Sequence, residues 1–393
     1  MNIFRRSVSL LGAAALFCSI AGAHGAEPLK IGFLTTLSGP GAVLGQDFRD
    51  GFKLAIQHSG GTLGGVPVEL LVVDDEEKAA SGRQTVDRFI KRDKVDIITG
   101  IVFSSVLLPV LPTILNSDTL YLSLNSGPAD YAGEKCNPNF FAVAWQNEDI
   151  PQAVGRFASA QRYQRVALIA PNYPGGRESL GGFKREYNGE LAAEIYTKLG
   201  QTDFAAELAT LRASKPDAVY FFLPGGMGIN FIKQYHASGM GLQVPLLSNG
   251  YSADEDVIKA VGEPMVGIYN VSQWAADMDN AANKRFVEAF SKTYGRKATI
   301  NASQAYDTGR LIDAAVRATG GKFEDHAALR QALRTVQFDS VRGAFRFNRN
   351  QYPVHTLYVR KVEKDSSGVI TNRMLKPIIE EHQDPFVGQC RMG

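Results

Sequence analysis

The sequence predicts an α/β protein of two halves, each a doubly wound parallel sheet flanked by helices. Three observations carry this. Short apolar, strand-like runs alternate with amphipathic, helix-like runs over short loops from Leu29 onward, the pattern of a parallel sheet built from crossover units. The alternation restarts after about residue 146. A set of helices then follows the second half and is assigned to the first, so the chain crosses a hinge more than once. The boundaries expected are 27–146 plus 274–347 for the first lobe and 147–273 plus 348–393 for the second.

Residues 1–26 read as an export signal rather than part of the fold. Arg5 and Arg6 form a basic start, Ser7 to Ile20 an apolar stretch, and Ala21-Gly22-Ala23 a small-residue cleavage site. Cleavage is expected after Ala23 or Ala26. The apolar run is shorter than the roughly 20 residues that span a bilayer.

In the first half, Lys30 to Thr36 reads as a buried strand that breaks at Ser38-Gly39-Pro40 into a helix from Phe48 to Ala55. Gly60 to Gly65 is a turn cluster, and Val68 to Asp75 a second strand ending in acids. Ala79 to Arg92 has helical spacing. Val95 to Gly100 is a third strand, followed by Ile101-Val102-Phe103-Ser104-Ser105 and an apolar helix to Leu115. Thr119 to Leu124 is a fourth strand, ending at Asn125-Ser126-Gly127-Pro128.

Phe140 to Trp145 reads as a connecting strand, and Ile150 to Arg162 opens the second half as a helix. Arg165 to Ala170, Glu194 to Lys198, Asp217 to Leu223 and Pro245 to Gly250 are its strands. Helices lie between them over Glu178–Tyr187, Phe204–Ala213 and Ile229–Ser238. Gly267 to Trp274 reads as a return connection. Helices Asn283–Tyr294, Ser303–Ala318 and Ala327–Leu333 follow, then strand-like alternation at Gly343–Phe347 and Thr356–Val362.

Composition narrows the function. The net charge of +2 includes the two leader arginines, so the remaining chain is nearly neutral. No basic run with interleaved aromatics suggests nucleic acid as a partner. His58, His236, His326, His355 and His382 have no metal-ligand spacing. Gly-x-Ser-x-Gly, His-Glu-x-x-His and P-loop motifs are missing, and no nucleophile sits beside a base, so the chain is expected to be neither an enzyme nor dependent on a cofactor. Cys136 and Cys390 are the cysteines left after cleavage and are disulfide candidates in an oxidising compartment.

Several stretches resemble one family. Lys30-Ile31-Gly32 through Ser38-Gly39-Pro40 and Gly45, Asp96 to Gly100 with Ser104-Ser105, Gly181 to Tyr187, Asp217 to Tyr220, Ala305-Tyr306-Asp307, and Val341-Arg342-Gly343 to Phe347 are similar, in order, to periplasmic solute-binding proteins of the leucine/isoleucine/valine-binding type. The resemblance covers essentially the whole chain after the leader. It implies a periplasmic, two-lobed binding protein of type I (the Venus-flytrap fold) with three hinge crossovers, near Trp145–Glu148, Val271–Trp274 and Phe347–Pro353. It also implies a monomer that delivers a ligand to the permease and ATPase subunits of an ABC importer.

In that family the ligand carboxylate is held by the loops after the third and fourth strands. Here they carry Phe103, Ser104 and Ser105, then Asn125 and Ser126. Hydroxyl and amide donors at helix starts suit an anion, although a single serine there also serves as an ordinary helix cap. The loop that in amino-acid binders carries an acid for the ligand ammonium falls on Ser248-Asn249-Gly250, with no acid before Asp254. An ammonium buried without a counter-charge costs several kcal/mol, so Asn249 turns the expectation toward an aromatic carboxylate. The chain is also similar to family members that bind benzoate- or cinnamate-like acids. Tyr173, Met227, Tyr251, Phe103 and Trp274 are the expected walls, with Gln46 or Asp47 reaching the ligand's distal end. A branched-chain amino-acid binder is the alternative; a sensor domain or an exported enzyme is a weaker one.

Overall fold

The computed structural model describes residues 27–392. The expected leader and both of its cleavage sites lie outside them. Fourteen strands form two sheets: β1 (Leu29–Thr35), β2 (Thr62–Leu63), β3 (Val66–Asp74), β4 (Ile97–Thr99), β5 (Leu120–Ser123) and β6 (Phe140–Ala142), then β7 (Arg165–Pro171), β8 (Glu190–Thr197), β9 (Ala218–Phe221), β10 (Leu246–Asn249), β11 (Tyr269–Ser272), β12 (Arg346–Phe347), β13 (Pro353–Lys364) and β14 (Ile370–His382). The first sheet runs β2-β3-β1-β4-β5-β6, the second β12-β13-β11-β10-β9-β7-β8, with β14 paired to β13. From β3 to β6 and from β8 to β11 all neighbours are parallel. The two-lobed α/β expectation holds, with the addition of an antiparallel edge, β12 to β14, on the second sheet.

Both sheets wind alike. In each, the first strand of the half lies inside the sheet, the second pairs on one flank and the later strands build up on the other. The chain therefore reverses direction beside β1 in one lobe and beside β7 in the other, the switch points where doubly wound sheets bind ligands. Burial explains the sequence of these strands. β1 and β7 are covered by helices on both faces and are almost wholly buried, hence their unbroken apolar runs. The flanking strand β8 alternates between exposed and sheltered positions.

Three stretches differ from the sequence reading. The apolar helix expected up to Leu115 is two short ones, Ser104–Leu107 and Leu111–Leu115. Pro109 and Pro112 each lack the N–H a continuous helix needs. Gly267–Trp274 is more than a connection, since β11 sits inside the second sheet between β10 and β13. β14 carries Arg373, Lys376, Glu380 and Glu381 on an edge, so its sequence shows no apolar run.

The helix Ala42–His58 packs on Ile300–Ala318, joining the opening of the chain to the helices that return from the second half. Gly51 permits this. A Cβ there would lie 2.1 Å from the carbonyl oxygen of Ala302.

Between the sheets the chain passes three times: after β6, after β11 and before β13. The last passage touches both halves. β12 pairs with β13, while the Gln351 carbonyl accepts from Ala142 N–H at 3.0 Å and its side-chain amide donates to the Phe140 carbonyl at 2.6 Å. Cys136 and Cys390 are disulfide-bonded with Cα atoms 5.6 Å apart, which pins the C-terminal tail to the first half beside these passages.

Asp149, at the start of the helix Asp149–Ala160, anchors the first passage. Its buried carboxylate accepts from Gln146 N–H at 2.9 Å and meets His382 Nε2 at 2.8 Å and His355 Nε2 at 3.4 Å. Burial pushes the Asp149 carboxyl up, but the two imidazoles outweigh it and bring it down to about 2. Burial also pushes His382 down, and Asp149 and Asp384 overcome this to hold it above its ordinary value, against Arg156. His355, the more deeply buried ring, is pushed below it. A histidine raised in the folded state stabilises most at low pH and loses that contribution as pH rises through its folded value. Thermal melts of the wild type and His382→Gln should therefore differ more at pH 6 than at pH 9; a difference that grows with pH would contradict the Asp149 pairing.

Candidate functional site

The carboxyl ends of the two sheets face one another and enclose a cavity of about 40 Å³. Almost every lining residue lies at the carboxyl end of a parallel strand, in the loop after it or at the start of the next helix. Leu44 follows β1, Val102, Phe103 and Ser104 follow β4, Asn125 and Ser126 follow β5, and Trp145 and Asn147 follow β6. From the second lobe come Tyr173, Gly175 and Ser179 after β7, Phe222 and Pro224 after β9, Asn249 at the end of β10 and Tyr251 after it. Asn301, on the helix returning to the first lobe, completes the lining.

Five of these residues form a chain of aromatic contacts. Phe103 meets Tyr173 edge-on with centroids 6.2 Å apart, and Tyr173 stacks with Phe222 at 6.3 Å. Phe222 meets Tyr251 at 6.0 Å, and Tyr251 lies 4.6 Å from Trp145. None of the lining residues is Asp, Glu, Lys, Arg or His. The volume is below the roughly 150 Å³ of an apolar cavity that admits benzene. Entry of one ring therefore requires these side chains or the lobes to move apart slightly.

The polar side of the cavity is a hydrogen-bonded chain. Ser104 and Ser126 share a hydrogen at 2.5 Å between their hydroxyl oxygens, and Ser123 Oγ holds the Ser126 carbonyl at 2.5 Å. Asn147 Nδ2 approaches Ser104 Oγ at 3.5 Å, donates to Glu178 Oε2 at 2.5 Å, and its Oδ1 accepts from Gly127 N–H at 2.8 Å. Glu178, on the second-lobe helix Pro174–Glu186, also accepts from Ala129 N–H of the first lobe at 3.0 Å. Burial pushes the Glu178 carboxyl up to about 7, against the pull of those two hydrogen bonds. With the Ser104–Ser126 hydrogen shared, one hydroxyl proton of the pair is free to turn toward an anion. In the turn Ser104–Leu107 the Val106 and Leu107 N–H groups donate to the Phe103 carbonyl at 3.0 and 2.9 Å, which leaves those of Ser104 and Ser105 without a partner in the turn.

Further contacts hold the lobes together along the rim. Gly226 N–H donates to the Pro40 carbonyl at 3.2 Å, Ile300 N–H to Asp254 Oδ2 at 2.6 Å, and Lys297 pairs with Glu255 at 3.0 Å.

Of the residues expected from the sequence, Phe103, Ser104, Asn125, Ser126, Tyr173, Asn249 and Tyr251 line the cavity. Five others are not among the lining residues. Ser105, next to Ser104 on a one-turn helix, is not among the lining residues, and its hydroxyl is buried without a partner. Met227 packs in the second-lobe core, where its sulfur accepts from Gly200 N–H at 3.2 Å. Gln46 opens onto a separate groove with Arg296 and Lys297. Asp47 is turned the same way, bonded to Thr299 Oγ1 and paired with Arg296, both at 2.7 Å. Trp274 is buried with its indole N–H on Asn283 Oδ1 at 2.7 Å. The sequence reading missed Leu44, Trp145, Asn147, Ser179, Phe222 and Asn301. Asn147 sits in the expected Trp145–Glu148 crossover, where a polar residue at a hinge was the available signal. Asn301 was hidden because the helix was expected to begin at Ser303 rather than Ile300.

The sequence model of the periplasmic binding protein family matches residues 28–367. The chain belongs to this family. Among curated relatives of this binding protein, the Leu/Ile/Val-binding protein homolog 6 of Brucella melitensis is 24% identical over 386 residues, covering 95% of this chain and 97% of the relative. Among solved structures, an ABC-transporter solute-binding protein from R. palustris in complex with benzoate superposes with a TM-score of 0.88 at 30% identity, covering 93% of this chain and 100% of the other. A solute-binding protein from Rhodopseudomonas palustris BisB5 in complex with 3,4-dihydroxybenzoic acid gives 0.86 at 26% identity, over 91% and 99%. A branched-chain amino-acid-transporter binding protein from Streptococcus pneumoniae in complex with isoleucine gives 0.78 at 22% identity, over 89% and 100%; that likeness is one of fold. Among the described residues no helix is long and apolar enough to cross a membrane.

The chain has two tryptophans, one on the cavity and one away from it. With binding followed independently by calorimetry, a ligand-induced change in tryptophan emission should disappear in Trp145→Phe and persist in Trp274→Phe. The reverse pattern would place the ligand elsewhere.

Proposed function

We propose that this periplasmic binding protein captures a small aromatic carboxylate between its lobes and delivers it to the permease and ATPases of an ABC importer. The observation that carries the reading is the cavity wall: five aromatic rings, hydroxyl and amide groups, and no ionisable acid or base. Ser104 and Ser126 hold the carboxylate, with the Ser104 and Ser105 N–H groups beside them. Phe103, Tyr173, Phe222, Tyr251 and Trp145 receive the ring. Solved relatives in complex with benzoate and 3,4-dihydroxybenzoic acid support this ligand class. The protein acts by binding and closing, without turnover, and as a monomer in the periplasm.

Closure follows from the ligand's contacts with both lobes. A ligand shifts the open–closed balance only by its extra affinity for one state, and here that comes from pairing first-lobe serines with second-lobe rings.

A branched-chain amino acid is the competing cargo, favoured by the names of the curated relatives. The geometry weighs against it. Asp254, the first acid after Asn249, is turned to Ile300 N–H at 2.6 Å and to Arg360 at 3.6 Å, so a ligand ammonium meets no carboxylate. Burying it unpaired costs several kcal/mol.

A thermal-shift series tests the choice. Benzoate should raise the melting temperature and leucine should not; stabilisation by leucine alone would overturn the reading. Ser104→Ala should weaken benzoate binding by about 1–3 kcal/mol, while Ser105→Ala should leave it nearly unchanged. Equal losses in the two variants would contradict the assignment of the carboxylate to the Ser104–Ser126 pair.

A further inference from the structure

We propose that Asn249 and Asn301 form a second polar subsite, one residue from each lobe, that reads a hydrogen-bond acceptor on the ring of the ligand. The inference rests on the aromatic-acid reading above and deepens it: the preferred cargo carries a ring oxygen in addition to its carboxylate.

Both side chains line the interlobe cavity, with relative exposures of 0% and 3%. In both, the amide nitrogen Nδ2 is buried without a hydrogen-bond partner. The orientation of Asn249 is fixed by the chain itself. Its Oδ1 accepts from Ser252 N–H at 3.4 Å and caps the turn Gly250–Ser252, which leaves the NH₂ group over. The polar neighbour of Asn249 on this side is Tyr220, whose hydroxyl is bonded to that of Ser179 at 2.8 Å.

The two asparagines are brought together by the closing of the lobes. Asn249 ends β10, and Asn301 stands in the first turn of the helix Ile300–Ala318. The turn after Asn249 abuts the start of that helix so tightly that a Cβ on Gly250 would lie 2.4 Å from Ile300 Cδ1. Ile300 N–H also donates to Asp254 Oδ2 at 2.6 Å. Neither amide hydrogen-bonds to the Ser104–Ser126–Asn147 chain among the described residues, so the two polar patches are independent.

An amide N–H buried without a partner costs about 1–3 kcal/mol. Two such groups on an aromatic-walled cavity mark a place for an acceptor: a ring hydroxyl, an ether oxygen or a carbonyl. A ligand ammonium, itself a donor, gains nothing from Asn249, whose oxygen is committed to Ser252 N–H. A site built to hydrogen-bond a polar group also rejects the analogue that lacks it. Because the two donors sit on different lobes, an oxygen that bonds to both is held only in the closed form.

The test is calorimetric titration of the full exported chain with benzoate and with 2-, 3- and 4-hydroxybenzoate, repeated on Asn301→Ala and Asn249→Ala. At least one hydroxybenzoate should bind the wild type about tenfold more tightly than benzoate, the size of one added hydrogen bond. In Asn301→Ala that ratio should fall toward one. Asn301→Ala carries the test by itself if Asn249→Ala, which also uncaps a turn, fails to fold. Equal binding of all four acids by the wild type, or a ratio unchanged in Asn301→Ala, overturns the subsite and leaves the aromatic-acid reading standing. Binding of none of the four acids overturns both.

Discussion

The closed form depends on one run of hydrogen bonds, from Ser126 through Ser104 and Asn147 to Glu178. It starts in the first lobe, passes the first hinge crossing and ends on a second-lobe helix, whose carboxylate also grips Ala129 N–H. Each bond is worth only about 0.5–1.5 kcal/mol net, so the run cannot hold the lobes shut by a wide margin. That suits a capture device. A ligand that adds a few kcal/mol by touching both lobes can move such a balance by orders of magnitude, and losing it lets the lobes part. The same run leaves a hydroxyl proton at Ser104 or Ser126 free to turn toward an anion, so the lock and the proposed binding group are parts of one network.

The architecture places that network where it must be. Two sheets of the same winding face each other with their carboxyl ends, and both switch points open onto one cavity. The opening strand and its Ser38-Gly39-Pro40 loop contribute Leu44 to the wall and the Pro40 carbonyl to the rim contact with Gly226. The disulfide between Cys136 and Cys390 and the buried Asp149–His382 pair cross-link the passages between the lobes.

Much of this was legible in the sequence, for identifiable reasons. Buried parallel strands must be continuously apolar, and their loops fall at the carboxyl edge, so the alternation gave the sheets and placed Phe103, Ser104, Asn125, Ser126, Tyr173 and Asn249 near the cleft. Side-chain direction was not legible. Ser104 and Ser105 are equivalent as letters, and only the folded loop shows that the first lines the cavity. Gln46 and Met227 lie on helices beside site loops, and helix phase turns them toward a separate groove and the second-lobe core. Phe222 lies in the run Tyr220-Phe221-Phe222-Leu223, where every residue is apolar and no periodicity shows which ring meets the ligand. Asn301 belongs to the site only through the folding back of a distant helix.

The central claim is that neutral donors hold an anion in a cavity with no counter-charge for a cation. Phenylacetate and phenylglycine differ by a single ammonium group on the same skeleton, so a calorimetric comparison of the two on the wild-type chain tests it most directly. The account predicts that phenylacetate binds and that phenylglycine is weaker by at least about a hundredfold, the cost of an unpaired buried charge. Phenylglycine binding as tightly as phenylacetate, or more tightly, would contradict it.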